Sequence, residues 1–112
     1  MRLCRQSIST MQILEVRISR RVFRKIDRIV DRVTELTSRE NARRYGRDLL
    51  SEMLQLAIYG RSIRKTDSVE IKSIHPEAKS ITTRNKKWRI VFHIEGDCVM
   101  VDDILFSSMI TR

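Results

Sequence analysis

The sequence contains few glycine and proline residues, which interrupt helices and strands. Its 112 residues include only three Gly and one Pro, and 41% of them are hydrophobic. This composition excludes collagen-like and Pro/Gly-rich disordered chains and is typical of an ordered globular domain. The three glycines stand singly, so the sequence has no Gly-rich phosphate-binding loop and nucleotide hydrolysis is not expected.

Cysteine and histidine are equally scarce. Cys4 and Cys98 lie far apart and form no CxxC motif, which predicts reduced thiols and a cytoplasmic protein. His75 and His93 have no ligand-like spacing to Cys, Asp or Glu. We therefore expect neither a metal site nor a cofactor.

Long apolar runs are absent as well. None approaches the roughly 20 residues that a membrane-spanning helix needs, and the first residues lack the apolar stretch of a secretory signal. We therefore expect no membrane association. Residues 1–11 show no periodicity and are predicted to be a disordered leader, with translation starting at Met1 or Met11. Residues 12–112 are predicted to form a single domain.

Positive charge is in excess. There are 23 Lys or Arg against 14 Asp or Glu, which gives a formal charge of +9. Such a charge favours an anionic partner, whether an acidic protein, RNA or DNA, without deciding the fold. The excess is concentrated in residues 60–89, where nine basic residues occur with three acidic ones. The last 23 residues instead contain one basic and four acidic residues.

Hydrophobic periodicity predicts a strand followed by two helices. Leu14, Val16 and Ile18 alternate as in a strand, and Ser19 can cap a helix whose apolar residues recur with a 3.6-residue period up to Leu36.

The second helix is predicted to begin directly after the first. Either Thr37 or Ser38 can cap it, and Glu40 stands three residues after Thr37, as a capping box requires. Its apolar stripe reaches Ala57, and Gly60 is predicted to end it as a C′ residue. The short connection predicts an antiparallel helical hairpin.

In the rest of the chain, apolar residues mostly recur at every second position, as in β-strands. The predicted elements are a surface loop over residues 61–67, a short strand at Val69 and Ile71, a strand over residues 80–83, a turn over residues 85–87, and two strands over residues 88–94 and 98–106 joined by a turn at residues 95–97. These elements predict an α+β fold. An N-terminal strand, a two-helix antiparallel hairpin and a three-stranded antiparallel meander would form one sheet with the helices on one face.

Both helices carry arginines at four-residue steps. The rows are Arg20, Arg24, Arg28 and Arg32 in the first helix and Arg39, Arg43 and Arg47 in the second. Because acidic residues lie three or four positions away, a self-paired, solvated face is favoured over a binding face.

A basic cluster in the β half is the candidate surface for binding a target or a nucleic acid. Its members are Lys79, Arg84, Lys86, Lys87, Arg89 and His93. Such residues can hold phosphates, and an Arg on a strand beside an aromatic residue can meet a stacked base. Ordinary surface lysines at a turn would give the same pattern, so both interpretations stay open.

Residues 87–101 resemble the hallmark of the RelE/ParE superfamily of bacterial toxins. In that family an aromatic-Arg-aliphatic-aliphatic-aromatic strand leads through a short acidic turn into an aliphatic strand. Here Trp88-Arg89-Ile90-Val91-Phe92 is that strand and Glu95-Gly96-Asp97 is that turn. The preceding strand and helices occur in the same order, so the resemblance covers residues 12–106. It implies the toxin of a type II toxin–antitoxin system, which acts in growth inhibition and plasmid stabilisation.

The resemblance implies one of two mechanisms. RelE-like members cut mRNA on the ribosome without a metal, whereas ParE-like members inhibit DNA gyrase. Arg89 matches the strand arginine that the ribonucleases use on the phosphate, with Arg84 and Lys86 as secondary candidates. Ser80 and Thr82, however, stand where the ribonucleases carry lysines.

The end of the chain also departs from the ribonuclease pattern. Ser107-Ser108-Met109 stands where a basic residue is expected, and no catalytic tyrosine follows. Metal-free RNA cleavage needs a base, an acid and a group that stabilises charge, and only the last has a matching residue. We therefore favour a noncatalytic ParE-like toxin that binds gyrase, or a toxin that has lost activity. An mRNA endoribonuclease and a non-toxic RNA-binding module are the alternatives. The implied partner is an antitoxin that lays an acidic segment over the toxin's apolar stripes.

Overall fold

The computed structural model describes residues 13–107, so the predicted leader at residues 1–11 lies outside the described residues. The elements in chain order are β1 (Glu15–Ile18), α1 (Arg20–Leu36), α2 (Arg39–Leu54), α3 (Leu56–Tyr59), a 3₁₀ turn (Gly60–Ser62), α4 (Val69–Lys72), β2 (Lys79–Thr82), β3 (Trp88–Glu95) and β4 (Cys98–Phe106). The predicted α+β order of strand, helical hairpin and three strands is confirmed.

The four strands form one sheet in the order β1-β4-β3-β2. β2, β3 and β4 are an antiparallel meander, and β1 joins the edge parallel to β4, with Glu15 opposite Cys98 and Ile18 opposite Val101. A parallel pair needs a crossover connection, and α1 and α2 lie within the one that links β1 to β4. This topology places the helical hairpin against one face of the sheet.

The main core lies between the hairpin and that face. Val22 of α1, Leu49 and Met53 of α2 and Phe92 of β3 are buried in it. Burial of each such side chain contributes roughly 1.5–3 kcal/mol, so this core stabilises the arrangement of helices on the sheet.

Several apolar residues of the predicted helical stripes lie outside the core. Phe23 is 46% exposed, Leu36 70% and Leu54 56%. The helical hairpin therefore leaves apolar surface uncovered in the isolated chain. Within the described range, no helix is long and apolar enough to cross a membrane.

Serine caps both long helices. Ser19 caps α1 as predicted, and the Ser38 hydroxyl accepts a hydrogen bond from Asn41 N at 3.1 Å at the start of α2. The predicted capping box of Thr37 and Glu40 is wrong. Thr37 belongs to the end of α1, where its hydroxyl donates to the carbonyl of the preceding turn.

The prediction that Gly60 ends the second helix as a C′ residue is also wrong. α2 ends at Leu54, α3 follows, and Gly60 has a right-handed φ of −56° and opens the 3₁₀ turn. This turn also occupies the start of the predicted surface loop. A Cβ at Gly60 would lie 3.4 Å from Val99 Cγ2 and 3.5 Å from Ile94 Cδ1, in ordinary van der Waals contact with the sheet. The chain thus stays helical while it passes close to the sheet.

The predicted short strand at Val69 and Ile71 is a helix, α4. The Ser68 hydroxyl accepts a hydrogen bond from Ile71 N at 3.4 Å and caps it. Ile71 is buried with Ala78 and Val91 in a second, smaller core on the sheet face opposite the hairpin. Two apolar residues two positions apart are compatible with a strand when only the local sequence is considered. The burial of Ile71 against Ala78 and Val91 favours a helical turn instead.

Two neighbouring aspartates at a β-bulge in β4 have different partners. The register between β3 and β4 shifts by one residue, and Asp102 is the extra residue. Asp102 contacts His93 of β3, whereas Asp103, which pairs with Val91 in the register, contacts Lys25 of α1.

The basic rows of the helices are not self-paired. Among residues 13–107, no ion pair joins a basic residue of α1 or α2 to an acid of the same helix. The helix cations that do pair are Arg21 and Lys25, and both reach Asp103 of β4. The favoured interpretation of a self-paired face is therefore wrong, and the arginine rows lie in solvent.

Candidate functional site

Arg89 lies on β3, on the sheet face opposite the helical hairpin. Its Nε donates to Ser80 Oγ at 3.2 Å and its NH1 donates to Thr82 Oγ1 at 3.1 Å. The two hydroxyls that replace the expected lysines thus hold the guanidinium in place. A guanidinium has five N–H donors, so the remaining ones are available for a phosphate or a carboxylate.

The turn between β2 and β3 projects three further cations beside Arg89. Arg84, Lys86 and Lys87 are all exposed, and Lys86 has a left-handed φ of 63° that reverses the chain. At the end of β4, the Ser107 hydroxyl donates to Lys86 O at 2.7 Å and Ser107 N donates to Lys87 O at 2.8 Å. We call Arg84, Lys86, Lys87 and Arg89 the turn cluster.

Hydrogen bonds attach the turn to α2. Tyr45 OH accepts from Trp88 Nε1 at 2.8 Å and from Asn85 Nδ2 at 3.0 Å. Glu52 accepts from Arg84 N at 3.0 Å. These bonds make the turn a fixed platform for its cations. The anchoring residues Tyr45 and Glu52 were not identified from the sequence, where they appear only as helix residues.

A cleft runs between α2 and this turn. Its volume is about 180 Å³, well below the roughly 300–1,000 Å³ of typical small-molecule sites. The turn cluster is therefore suited to contact a macromolecule at the surface rather than to enclose a metabolite.

Lys79 does not belong to the turn cluster. It pairs with Phe92, which faces the main core, so Lys79 lies on the opposite sheet face from Arg89. Its Nζ donates to Gly60 O at 3.3 Å and to Arg61 O at 3.0 Å. Burial, together with Arg61 and Lys65 nearby, lowers the pKa of Lys79. Its contacts fix the 3₁₀ turn to the sheet.

His93 lies on the same face as Arg89 but is separated from it. Four residues of strand put about 13 Å between them, and the second core, around Val91, lies between. The sequence-predicted residues thus form three groups, namely the turn cluster, Lys79 and His93.

His93 has its own set of partners. Its Nδ1 lies 2.6 Å from Asp102 Oδ2, its Nε2 lies 2.9 Å from Glu95 Oε2, and its ring stacks on His75 with centroids 3.7 Å apart. Burial opposes the imidazolium, but the hydrogen bonds to Asp102 and Glu95 outweigh it and raise the pKa of His93. We call His75, His93, Glu95 and Asp102 the histidine cluster.

The chemistry available around Arg89 is limited. Its side-chain contacts within the described range are two hydroxyls, which do not exchange protons readily near neutral pH. A general acid or base must lie within hydrogen-bond reach of the proton that it transfers. The turn cluster can therefore bind an anionic group and stabilise its charge, and the described hydrogen-bond partners of Arg89 supply no acid–base pair.

A second basic surface lies along α2. A shallow depression of about 480 Å³ is lined by Arg39, Glu40, Arg43, Arg44 and Arg47. Three of these arginines are the row seen in the sequence, and Arg44 extends it. Among the described residues, the basic surface on α2 is thus separate from the one at the β2–β3 turn.

The chain resembles a known protein in its fold rather than in its sequence. No protein-family model and no curated protein matches it. Among solved structures, it is similar to a chain of the chromosomal ParDE TA system from P. aeruginosa, with a TM-score of 0.72 and 16% sequence identity over 85% of this chain and 97% of that chain. The likeness shows that the two chains share a fold over nearly the whole length of the ParDE chain.

Proposed function

We propose that this chain is the toxin of a type II toxin–antitoxin system, a ParE-like growth inhibitor that binds DNA gyrase and is neutralised by its own antitoxin. The observation that carries the proposal is the shared fold with a chain of a ParDE TA system, at a TM-score of 0.72. The strand motif Trp88-Arg89-Ile90-Val91-Phe92, which forms the first five residues of β3, supports the same assignment.

Binding rather than RNA cleavage is favoured by the surroundings of Arg89. The hydroxyls of Ser80 and Thr82 accept hydrogen bonds from its guanidinium, and the described contacts of Arg89 include neither a base nor an acid. The neighbouring cations lie on a rigid, exposed turn. Such a surface suits a protein target with acidic side chains, because exposed charge steers association and selects partners.

The first experiment compares two activities of the purified protein. We expect inhibition of DNA supercoiling by gyrase and no cleavage of ribosome-bound mRNA. Combined replacement of the turn cations by Arg84→Gln, Lys86→Asn and Lys87→Gln should abolish the inhibition, since binding loses three charges. Asn is used at position 86 because it tolerates the left-handed φ there.

A matched variant controls for the loss of charge. Arg24→Gln, Arg28→Gln and Arg32→Gln remove three exposed cations from α1 and should leave gyrase inhibition intact. Equal loss in both triple variants would mean that net charge, rather than the turn, is responsible.

Two outcomes would favour the alternatives. Codon-specific mRNA cleavage that is abolished by Arg89→Ala would identify a RelE-like endoribonuclease instead. Unimpaired growth of bacteria in which the chain is induced would favour a non-toxic RNA-binding module.

The proposed antitoxin contributes an acidic segment. Arg39, Arg43, Arg44 and Arg47 give α2 a basic depression, and exposed Leu36 and Leu54 lie at the ends of the two long helices. A partner with acidic and apolar side chains would neutralise the charge and cover the apolar surface. A neighbouring reading frame that encodes a DNA-binding fold with an acidic tail would support this partner.

A further inference from the structure

We propose that His75, His93 and Glu95 form a binding site for a divalent transition-metal ion of the zinc class. Each residue offers one ligand atom, and the three atoms lie within 4.8 Å of one another. Two imidazole nitrogens and a carboxylate oxygen are a donor set that zinc uses in sites with three protein ligands. The site is separate from the turn cluster and does not depend on the proposed function.

Two of the three ligand atoms already have nearly the required spacing. His93 Nε2 and Glu95 Oε2 are 2.9 Å apart, and two ligands on a tetrahedral zinc with bonds of 2.0–2.1 Å lie about 3.3 Å apart. An ion would replace the proton that these two atoms share. Glu95 is 69% exposed, so its carboxylate can rotate onto the ion without a change in the strand.

Asp102 prepares His93 to bind through Nε2. Its Oδ2 lies 2.6 Å from His93 Nδ1, which fixes the proton on that nitrogen and leaves Nε2 toward Glu95. A carboxylate behind a metal-binding histidine is the usual outer support of zinc sites, where it orients the ring and increases its basicity. Asp102 lies on this face because it follows Met100, the residue that pairs with His93, by two positions.

His75 must adjust for the ion to bind. The two imidazole planes are within 6° of parallel, so the His75 ring has to tilt before its lone pair points to an ion held by His93. Its Nδ1 accepts a hydrogen bond from Glu77 N at 3.0 Å, and metal coordination by either nitrogen ends that bond. Glu77 is exposed, so water can replace the lost partner.

The ion would connect two parts of the fold. His75 belongs to the segment after α4, and His93 and Glu95 belong to β3. A bound ion would therefore stabilise the packing of the α4 segment on the sheet, and the protein's melting temperature should rise. Three protein ligands also leave a fourth position open to water or to a side chain of a partner.

The test uses untagged full-length protein with Cys4→Ser and Cys98→Ser, because thiolates bind the same ions. Zinc binding is measured by calorimetry, and Co²⁺ serves as a spectroscopic probe of coordination. We expect a single ion per chain, visible Co²⁺ bands of a four- or five-coordinate site, and a higher melting temperature with zinc.

Variants separate the site from adventitious binding. His75→Ala and Glu95→Gln should each weaken zinc binding at least about tenfold, and Asp102→Asn by about 10–100-fold. Asp97→Asn removes an exposed carboxylate of the same hairpin, one that pairs with Arg61, and should leave affinity unchanged.

His75→Ala and Glu95→Gln change half-exposed and exposed side chains, so circular dichroism without metal should show folded protein. Absence of binding at millimolar zinc, or equal affinity in His75→Ala, Glu95→Gln and the parent, would overturn the proposal.

Discussion

Arg89 and Lys79 are cations on neighbouring strands, yet their contacts give them different roles. Arg89 is held by two hydroxyls and keeps N–H donors for a ligand. Lys79 donates to the carbonyls of Gly60 and Arg61, which are part of the fold itself. The positions of the charges in the sequence therefore predicted which residues could bind an anion. The hydrogen-bond partners show which of these residues instead bind groups within the fold.

Asp103 illustrates the cost of a buried charge. Its side chain is only 4% exposed, and Lys25 Nζ lies 2.6 Å from its Oδ1. We expect Lys25→Met to lower the free energy of unfolding by about 2 kcal/mol. This is below the usual cost of breaking a buried ion pair, because Lys25 is partly exposed and Arg21 remains nearby. Urea unfolding followed by circular dichroism measures the difference.

Arg21→Met is the matched control for this pair. Arg21 NH1 lies 3.7 Å from Asp103 Oδ2 and its side chain is 69% exposed, so its loss should cost less than about 1 kcal/mol. Equal effects of the two variants would show that Lys25 is not the principal partner of Asp103.

At the scale of elements, α1 and α2 approach each other closely at one point. A Cβ on Gly46 of α2 would lie 2.8 Å from Val30 Cγ2 of α1. Valine in a helix has one strongly preferred rotamer, so it cannot easily move away. Gly46 is thus required by packing, although a glycine within a helix is locally unfavourable.

Gly46→Ala tests this close approach. Alanine gains up to about 1 kcal/mol of helix propensity, but overpacking typically costs about 1–3 kcal/mol. We expect a net loss of about 1 kcal/mol, measured by urea unfolding. In a Val30→Ala background the same substitution should be neutral or stabilising. If Gly46→Ala stabilises the parent, the helices are not in close contact there.

At the scale of the whole molecule, the excess of positive charge is distributed over separate surfaces. The arginine rows of α1 and α2 have no ion-pair partners within their own helices. The turn cluster is a separate surface, on the β2–β3 turn that contacts Glu52 of α2. Unpaired charge of one sign repels itself and destabilises the free protein. An acidic partner would relieve this repulsion on the surface that it covers.

The free chain should therefore become more stable as salt increases. We expect the free energy of unfolding in urea to rise between roughly 0.02 and 0.3 M NaCl, because the screening length shortens across this range. The triple variant Arg24→Gln, Arg28→Gln and Arg32→Gln should show a smaller rise. A fall in stability with salt would mean that attractive ion pairs dominate instead.

Local patterns predicted much of this fold because they depend on neighbours in the chain. Ser19 and the period-3.6 apolar residues predicted α1, and the alternation from Trp88 onward predicted β3 and β4 with a turn near Gly96, whose φ is 61°. Val69 and Ile71 were misassigned because four residues are too few to distinguish a helical turn from a strand, and packing of Ile71 on Val91 decided the outcome.

The α+β class, the order of the elements, the positive charge and the turn that bears its exposed cations follow from the sequence alone, because each depends on residues close in the chain. Contacts between side chains that are distant in the sequence are set by the folded arrangement of the elements. This arrangement brings Ser80 and Thr82 to Arg89, Tyr45 to Trp88, and His75 to His93 and Glu95. Those contacts depend on strand register and on the packing of α2 and α4, and no sequence spacing encodes them directly.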